Sequence, residues 1–401
     1  MSDQAIKVAV VAEFYPRAAD PVLGIWAHRQ ALAAREAGAD VRVLVLHRPL
    51  PPAATALHEM PRVLRSQLAQ PADSTLDGLK VRYVRFVSPP RSRSYGAWGS
   101  WAARPLGRAL RTMQREFPFD VIHAHNAVPA GEAVRRAGLG VPLLVSVHGG
   151  DVFFTAPRYS AGDAAVRATF SAADIVMANS AGIARAARDL GAREARVIRL
   201  GTDIPDVPPV KPETPTLVTV AHLVARKRHA DVLRAMWALR ELVADLRYVI
   251  VGDGPERPAL QQLAATLEIA DRVEFLGQLP HAQAVERAQS AHLFVMPSVD
   301  EAFGVAYVEA MAAGVPVIGC MGEPGPQEIA AAGAGIELVP PGDVEALAEA
   351  IAFEFSDQRD LRARGAAARA TVQAHFTWDR CGAQTVRAYS DAIASVTGVT
   401  P

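Results

Sequence analysis

Cysteine is nearly absent from this chain: Cys320 and Cys381 are its two, with no Cys-x-x-Cys spacing. That excludes a disulfide framework and a zinc ribbon, and it suits a reducing compartment. Net charge is missing as well, because 42 basic residues balance 42 acidic ones. With no overall positive field, nucleic acid is not expected as a partner, and any anion has to be bound locally. Long apolar runs are also lacking; none approaches the roughly 20 residues that span a bilayer. The opening "MSDQAIKVAVVAEF" enters an apolar strand directly, without the charged and apolar regions of a signal peptide. A soluble, cytoplasmic protein is the expectation. No GxGxxG fingerprint accompanies the first strand, which leaves hydride transfer on a dinucleotide with little support.

The 401 residues, half of them apolar, suffice for two domain cores. From residue 6, short Val- and Ile-rich runs alternate with segments of helical period. They read "IKVAVVAEF", a helix near 25–37, "DVRVLVL", "FDVIHAH", "VPLLVSVHGG", "ADIVMANS" and "ARVIRLGTD". Near-continuous apolar strands separated by helices predict a parallel sheet covered on both faces. The pattern stops at "DIPDVPPVKPETP", where five prolines and no period predict a linker. It restarts with "TLVTVAHL", "LRYVIVGDG", "RVEFLGQL", "HLFVMPS", "VPVIGC" and "GIELVPPGD". The expected fold is α/β, with two doubly wound, Rossmann-like parallel-sheet domains facing a central cleft, at 1–203 and 216–375 with a linker at 204–215. A C-terminal helix within 376–401 is expected to pack back across the linker, and the Pro- and Ala-rich stretch 48–75 to form a long loop.

Ligands of open parallel sheets sit beyond the carboxyl ends of the strands, so chemistry is sought there. After "FVMPS" comes Glu301 and, eight residues on, Glu309, two carboxylates in the otherwise apolar run "SVDEAFGVAYVEAMAAGVPVIG". Unpaired buried charge is costly, so a ligand is expected to satisfy both. The helix start at Phe303, Gly304 and Val305 offers N–H groups to a phosphate, with Gly304 allowing close approach. One helical turn rises only about 5.4 Å, so both glutamates can reach one ligand of nucleotide-sugar length. Spacing alone equally fits Glu309 as a solvated helix residue and Glu301 as a partner of the helix dipole. After "TLVTVAHL", the cations Arg226, Lys227 and Arg228 suit either a diphosphate or a solvated helix start. His148 ends a strand ahead of Gly149 and Gly150, with Asp151 placed to orient or charge its ring. His123 and His125 share one strand face, but no third ligand is spaced nearby for a metal. Gly24 stands in the loop after the first strand.

In chain order, "DVIHAHNAVPAG", "VHGGD", "IRLGTD", "VGDGPE", "RVEFLGQL", "PSVDEAFGVAYVEAMAAGVPVI", "GPQEI" and "LVPPGD" resemble one family. It is the retaining nucleotide-sugar glycosyltransferases of family 4 (glycosyl transferases group 1), which have the GT-B fold and an E-x7-E motif. The resemblance covers nearly the whole chain. It implies that Glu301 binds the donor sugar beside the anomeric carbon, Glu309 the ribose hydroxyls and Lys227 the diphosphate. It also implies His148 near donor sugar and acceptor, Gly24 beside the phosphates, and the backbone of Gly277, Gln278 and Leu279 beside the base. One position departs from the pattern: His222 stands where the family has an arginine shortly before the lysine. Either protonated His222 does the arginine's work, or Arg226 or Arg228 does, or the diphosphate is held more weakly.

The implied activity is retaining transfer of a sugar from a UDP- or GDP-linked donor to a hydroxyl of a glycan, lipid-linked or small-molecule acceptor. His148, Glu301 and Lys227 are the implied catalytic residues. Attack on the leaving-group face and a covalent Glu301 adduct are both open as mechanisms. No DxD pair occurs, so neither an obligatory metal nor another cofactor is expected. A nucleotide-sugar epimerase of the same fold and a non-catalytic sugar-binding protein are the alternatives. Residues 89–115 interleave Arg91, Arg93, Arg104, Arg108 and Arg111 with Trp98 and Trp101. That mixture suits peripheral contact with the inner membrane face or an anionic, lipid-linked acceptor, although a loop and helix with a solvated arginine face is the reading that stays ahead.

Overall fold

The computed structural model describes residues 5–51, 55–243 and 245–397. Residues 1–4 and 398–401 of the expected domain ends, and 52–54 of the expected loop, lie outside the described residues. The chain divides into two compact units, one made of residues 1–199 with 378–401 and the other of Leu200–Thr377.

Among the described residues, eight strands build the first unit: β1 (Lys7–Ala12), β2 (Asp40–His47), β3 (Asp73–Leu76), β4 (Leu79–Arg85), β5 (Val121–His125), β6 (Leu143–Val147), β7 (Ile175–Ala178) and β8 (Ala195–Val197). They lie in the order β3-β4-β2-β1-β5-β6-β7-β8. All neighbours are parallel except the antiparallel edge pair β3 and β4. Every residue of β5 and β6 is buried, as expected of a sheet covered on both faces. Each Val, Leu or Ile so buried contributes about 1.5–3 kcal/mol. The C-terminal helix Trp378–Thr397 packs on the helix Ile25–Glu36 within this unit. Gly382 permits the approach, because a Cβ there would stand 2.1 Å from the Ala33 carbonyl oxygen.

The stretch 48–75 is not one long loop: it holds the helix Met60–Leu68 and the start of β3. Pro61 lies in that helix's first turn, where no N–H partner is required, so it starts the helix rather than breaking it.

The second unit contains β9 (Thr216–Val220), β10 (Arg247–Val251), β11 (Val273–Gly277), β12 (Leu293–Val295), β13 (Val317–Cys320) and β14 (Ile336–Val339). Their order is β11-β10-β9-β12-β13-β14, parallel throughout. Leu217, Tyr248, Ile250, Leu293, Val295 and Ile318 form the centre of its core. Asp343 and Asp357 cap the helices Val344–Phe355 and Gln358–His375 with their side chains, satisfying N–H groups that the helices cannot. The Pro-rich segment 204–215 forms neither helix nor strand. Strand order reverses between β9 and β12, and that switch point is where such a sheet opens a crevice beyond its strand ends.

Candidate active site

The segments leaving β9 and β12 flank this switch point. Past β9 the chain makes a short 3-10 turn at Ala225–Lys227, and Arg228, at φ +56°, turns it into the helix His229–Ala238. Past β12, Asp300 takes a left-handed φ of +53° and delivers Glu301. The two segments are tied by the Val299 N–H, which donates to the Arg226 carbonyl at 2.9 Å. Lys227 is buried, and its Nζ lies 2.5 Å from Glu301 Oε2 and 3.5 Å from Met296 Sδ. Ser298 Oγ donates to the same carboxylate oxygen at 3.0 Å. Arg226 stands 3.9 Å from it and donates to the Asp300 carbonyl at 3.4 Å. Burial alone would raise the Glu301 pKa; Lys227, Arg226 and the Ser298 hydroxyl outweigh it and hold the carboxyl below its usual range.

Glu309 is the fifth residue of the helix Val305–Met311. Its Oε1 lies 2.9 Å from His281 Nε2. The expectation that a ligand must satisfy the two glutamates is therefore corrected for Glu301, whose partners Lys227 and Ser298 come from the chain itself, while Glu309 has one side-chain partner, His281. Nothing in the sequence spacing ties residue 281 to residue 309 or marks Ser298 as a partner of Glu301; the fold alone brings them together.

Gly304 joins Glu301 to that helix at φ +80°, and a Cβ on it would meet the Tyr307 ring at 2.4 Å. Only glycine fits here. Val305 is half-buried, whereas the Phe303 ring is turned into the core, 5.8 Å from that of Phe376, so only the Phe303 backbone can serve a ligand. His222 is exposed with Nδ1 2.7 Å from the Asp253 carbonyl oxygen. Arg228 is committed to Asp231 at 2.6 Å, which leaves Arg226 as the arginine beside Glu301. Gly277 ends β11 at φ +72°, accepting from the Gly252 N–H at 2.8 Å; Gln278 is exposed and Leu279 half-buried beside it.

Gly24 and His148 belong to the first unit. Gly24, at φ +64°, precedes the helix Ile25–Glu36 and crosses the Phe14 backbone so closely that a Cβ would lie 2.2 Å from the Phe14 carbonyl. Trp26 in that helix places its ring 6.1 Å from the His148 ring. His148 Nε2 lies 3.0 Å from His125 Nδ1, while His123 engages Tyr389 at 2.7 Å and Ser146 at 2.8 Å. Burial lowers His148 to about 4 and His123 to about 3. Asp151 does not orient His148. Its carboxylate accepts from the backbone N–H groups of Ala127 at 2.8 Å and Val128 at 3.1 Å, and burial raises it to about 7.

Residues 202–371, which carry Lys227, Glu301 and Glu309, match the glycosyl transferases group 1, and residues 23–206 match glycosyltransferase family 4. The chain belongs to glycosyltransferase family 4. Among relatives of this glycosyltransferase is a Bacillus subtilis protein named as the teichuronic acid biosynthesis glycosyltransferase TuaC. It is 27% identical over 360 residues, covering 86% of this chain and 88% of that one. Sucrose-phosphate synthase from Thermosynechococcus elongatus matches the structure with a TM-score of 0.78 at 21% identity, over 97% of this chain and all of that one. Anabaena HepE in complex with UDP and glucose matches with a TM-score of 0.70 at 20% identity, over 96% of this chain and all of HepE. The shared architecture is the GT-B fold. No helix among the described residues of this glycosyltransferase is long and apolar enough to cross a membrane.

Proposed function

We propose that this glycosyltransferase moves a sugar, with retention, from a UDP- or GDP-linked donor to a hydroxyl of a glycan, lipid-linked or small-molecule acceptor. The observation that carries the reading is the buried Lys227–Glu301 pair, 2.5 Å apart at the switch point with Arg226 beside it. Two cations there suit a diphosphate whose charge grows as it leaves, and preorganised charge of that kind is a large source of catalysis. The acceptor oxygen bonds to the anomeric carbon as the bond from that carbon to the diphosphate breaks. The acceptor proton passes to the departing phosphate oxygen. Glu301 borders the sugar, Glu309 holds the ribose, and Lys227 with Arg226 supplies the positive charge that makes a metal dispensable. His148 and Gly24 are assigned to the sugar and acceptor and to the phosphates. HepE, solved with UDP and glucose, lends support to a nucleotide-sugar donor.

A thermal-shift screen of UDP, GDP, ADP and their sugar conjugates tests the donor, because a ligand of the folded state raises the melting point. A shift with one nucleotide identifies the base; no shift with any removes the proposal. Retention is read from the anomer of the product by NMR, and consumption of donor without acceptor to give an isomer would point to an epimerase instead. Residues 89–115 are proposed to meet an anionic membrane surface where a lipid-linked acceptor lies.

A further inference from the structure

Glu309 is gripped at two points by one helix. The helix His281–Ser290 begins with His281, whose Nε2 lies 2.9 Å from Glu309 Oε1, and near its end Gln289 donates its amide to the Glu309 carbonyl at 3.1 Å. Pro280 precedes the first of these residues with an extended ψ of 145°, so the helix starts at His281 itself. The Glu309 side chain is 11% exposed and that of His281 38%. Glu309 Oε2 has no hydrogen-bond partner among the described residues. An ionised carboxylate accepts at about four positions. His281 uses one of them and fixes the rotation of the carboxylate, and the acceptor positions of Oε2 stay unfilled.

We infer that His281 is a positioning residue that sets the Glu309 carboxylate to receive the ribose hydroxyls of the donor nucleotide. This rests on the donor reading of Glu309 above and adds to it a residue on a different helix. A glutamate has three side-chain torsions to fix, and a ligand that must fix them itself binds more weakly. His281 settles that orientation before the nucleotide arrives.

The test is calorimetric titration of the full chain with UDP and GDP and with their 2′,3′-dideoxy counterparts, which lack the hydroxyls in question. For whichever nucleotide binds, His281→Ala is expected to weaken the ribonucleotide on the order of tenfold. The dideoxy form should bind the variant and the wild type alike. His281→Gln, which keeps a donor at the end of its side chain, should recover most of the loss. Equal weakening of both forms would mean that His281 merely packs the helix, and an unchanged ribonucleotide affinity would mean that it does nothing for Glu309; either overturns the inference. Glu309→Ala, titrated alongside, separates the two levels. If that variant binds the ribonucleotide as the wild type does, the ribose role of Glu309 fails and the inference with it; if Glu309→Ala weakens binding and His281→Ala does not, the positioning role alone fails.

Discussion

Lys227 Nζ lies 2.5 Å from Glu301 Oε2, so the residues that follow β9 and β12 meet as a buried ion pair across the switch point of the second sheet. Removing one member of such a pair leaves an uncompensated charge, at a cost of about 3–5 kcal/mol. Lys227→Met and Glu301→Gln should each destabilise the second unit, and the double variant should lose distinctly less than the sum. Urea unfolding of the four proteins measures the coupling; strict additivity would show that the pair is not an energetic unit. Lys227→Met should also lower kcat by roughly 10²–10³, the usual cost of removing one stabilising group from a developing anion.

The two glutamates should separate kinetically. Glu309→Ala is expected to weaken nucleotide binding and raise KM for the donor, since Glu309 faces the ribose in the proposed complex. Glu301→Ala should remove turnover while nucleotide affinity changes little. Near wild-type activity in both variants would sink the assignment of either residue.

The parallel sheets were legible because β5, β6 and their neighbours are buried on both faces and so read as apolar runs of strand length. The helix Met60–Leu68 was not legible, because it buries none of its residues and carries a proline in its first turn, which resembles a break. In the site, Lys227 and Glu301 were both legible as strand-end residues, but their pairing across 74 positions was not. Asp151 shows the reverse error: adjacent to His148 in sequence, it turns instead to the backbone of Ala127 and Val128. Sequence proximity at a strand end does not determine which way a carboxylate faces, because backbone N–H groups left unpaired by an irregular turn compete for it.

Gly304→Ala should damage both stability and binding. The backbone there has φ +80°, and the added methyl would stand 2.4 Å from the Tyr307 ring and 3.4 Å from Glu301 Cγ. Tyr307 is fully buried, so its ring cannot swing into solvent without loss of packing. A cost of about 1–3 kcal/mol is expected from backbone strain and overpacking. Chemical denaturation measures the first effect and UDP or GDP titration the second; a variant with wild-type values in both would show that this loop yields easily.

Stability should depend on pH through buried histidines. Burial lowers His148 and His229 to about 4 and His123 to about 3. Their unfolded value is about 6.5. At neutral pH they cost nothing, but below about 6.5 the unfolded chain takes up protons that the folded chain refuses, so stability falls down to about pH 4. Each contributes up to about 3 kcal/mol of loss by then. Asp151 opposes this: raised to about 7 from 3.8, it adds stability at low pH that disappears as pH rises through about 7. Asp151→Asn should therefore steepen the acid loss seen in urea midpoints between pH 7 and 5. A flat profile in that variant would mean that the histidines are not held neutral.

The helix Trp98–Glu116 carries the membrane prediction, which its packing narrows. Trp98 is buried and so is not available to a surface, and the charge of Arg91, though exposed, is paired with Glu13 at 3.0 Å. Arg104, Arg108, Arg111 and Arg115 are exposed and recur at the spacing of a single helix face, with Trp101 52% exposed one turn earlier. Each arginine near an anionic bilayer is worth about 1 kcal/mol, an attraction that fades beyond a Debye length of about 8 Å at physiological salt. Vesicles rich in phosphatidylserine or phosphatidylglycerol should therefore retain the protein at low ionic strength and release it as salt rises. Neutral phosphatidylcholine vesicles should not hold it. Arg104→Glu, Arg108→Glu and Arg111→Glu together should abolish retention while leaving turnover on a soluble acceptor intact, since these residues lie outside the proposed donor site. Retention that survives both the triple variant and high salt would assign the contact to another surface, and no retention on any vesicle would leave this arginine face to solvent alone.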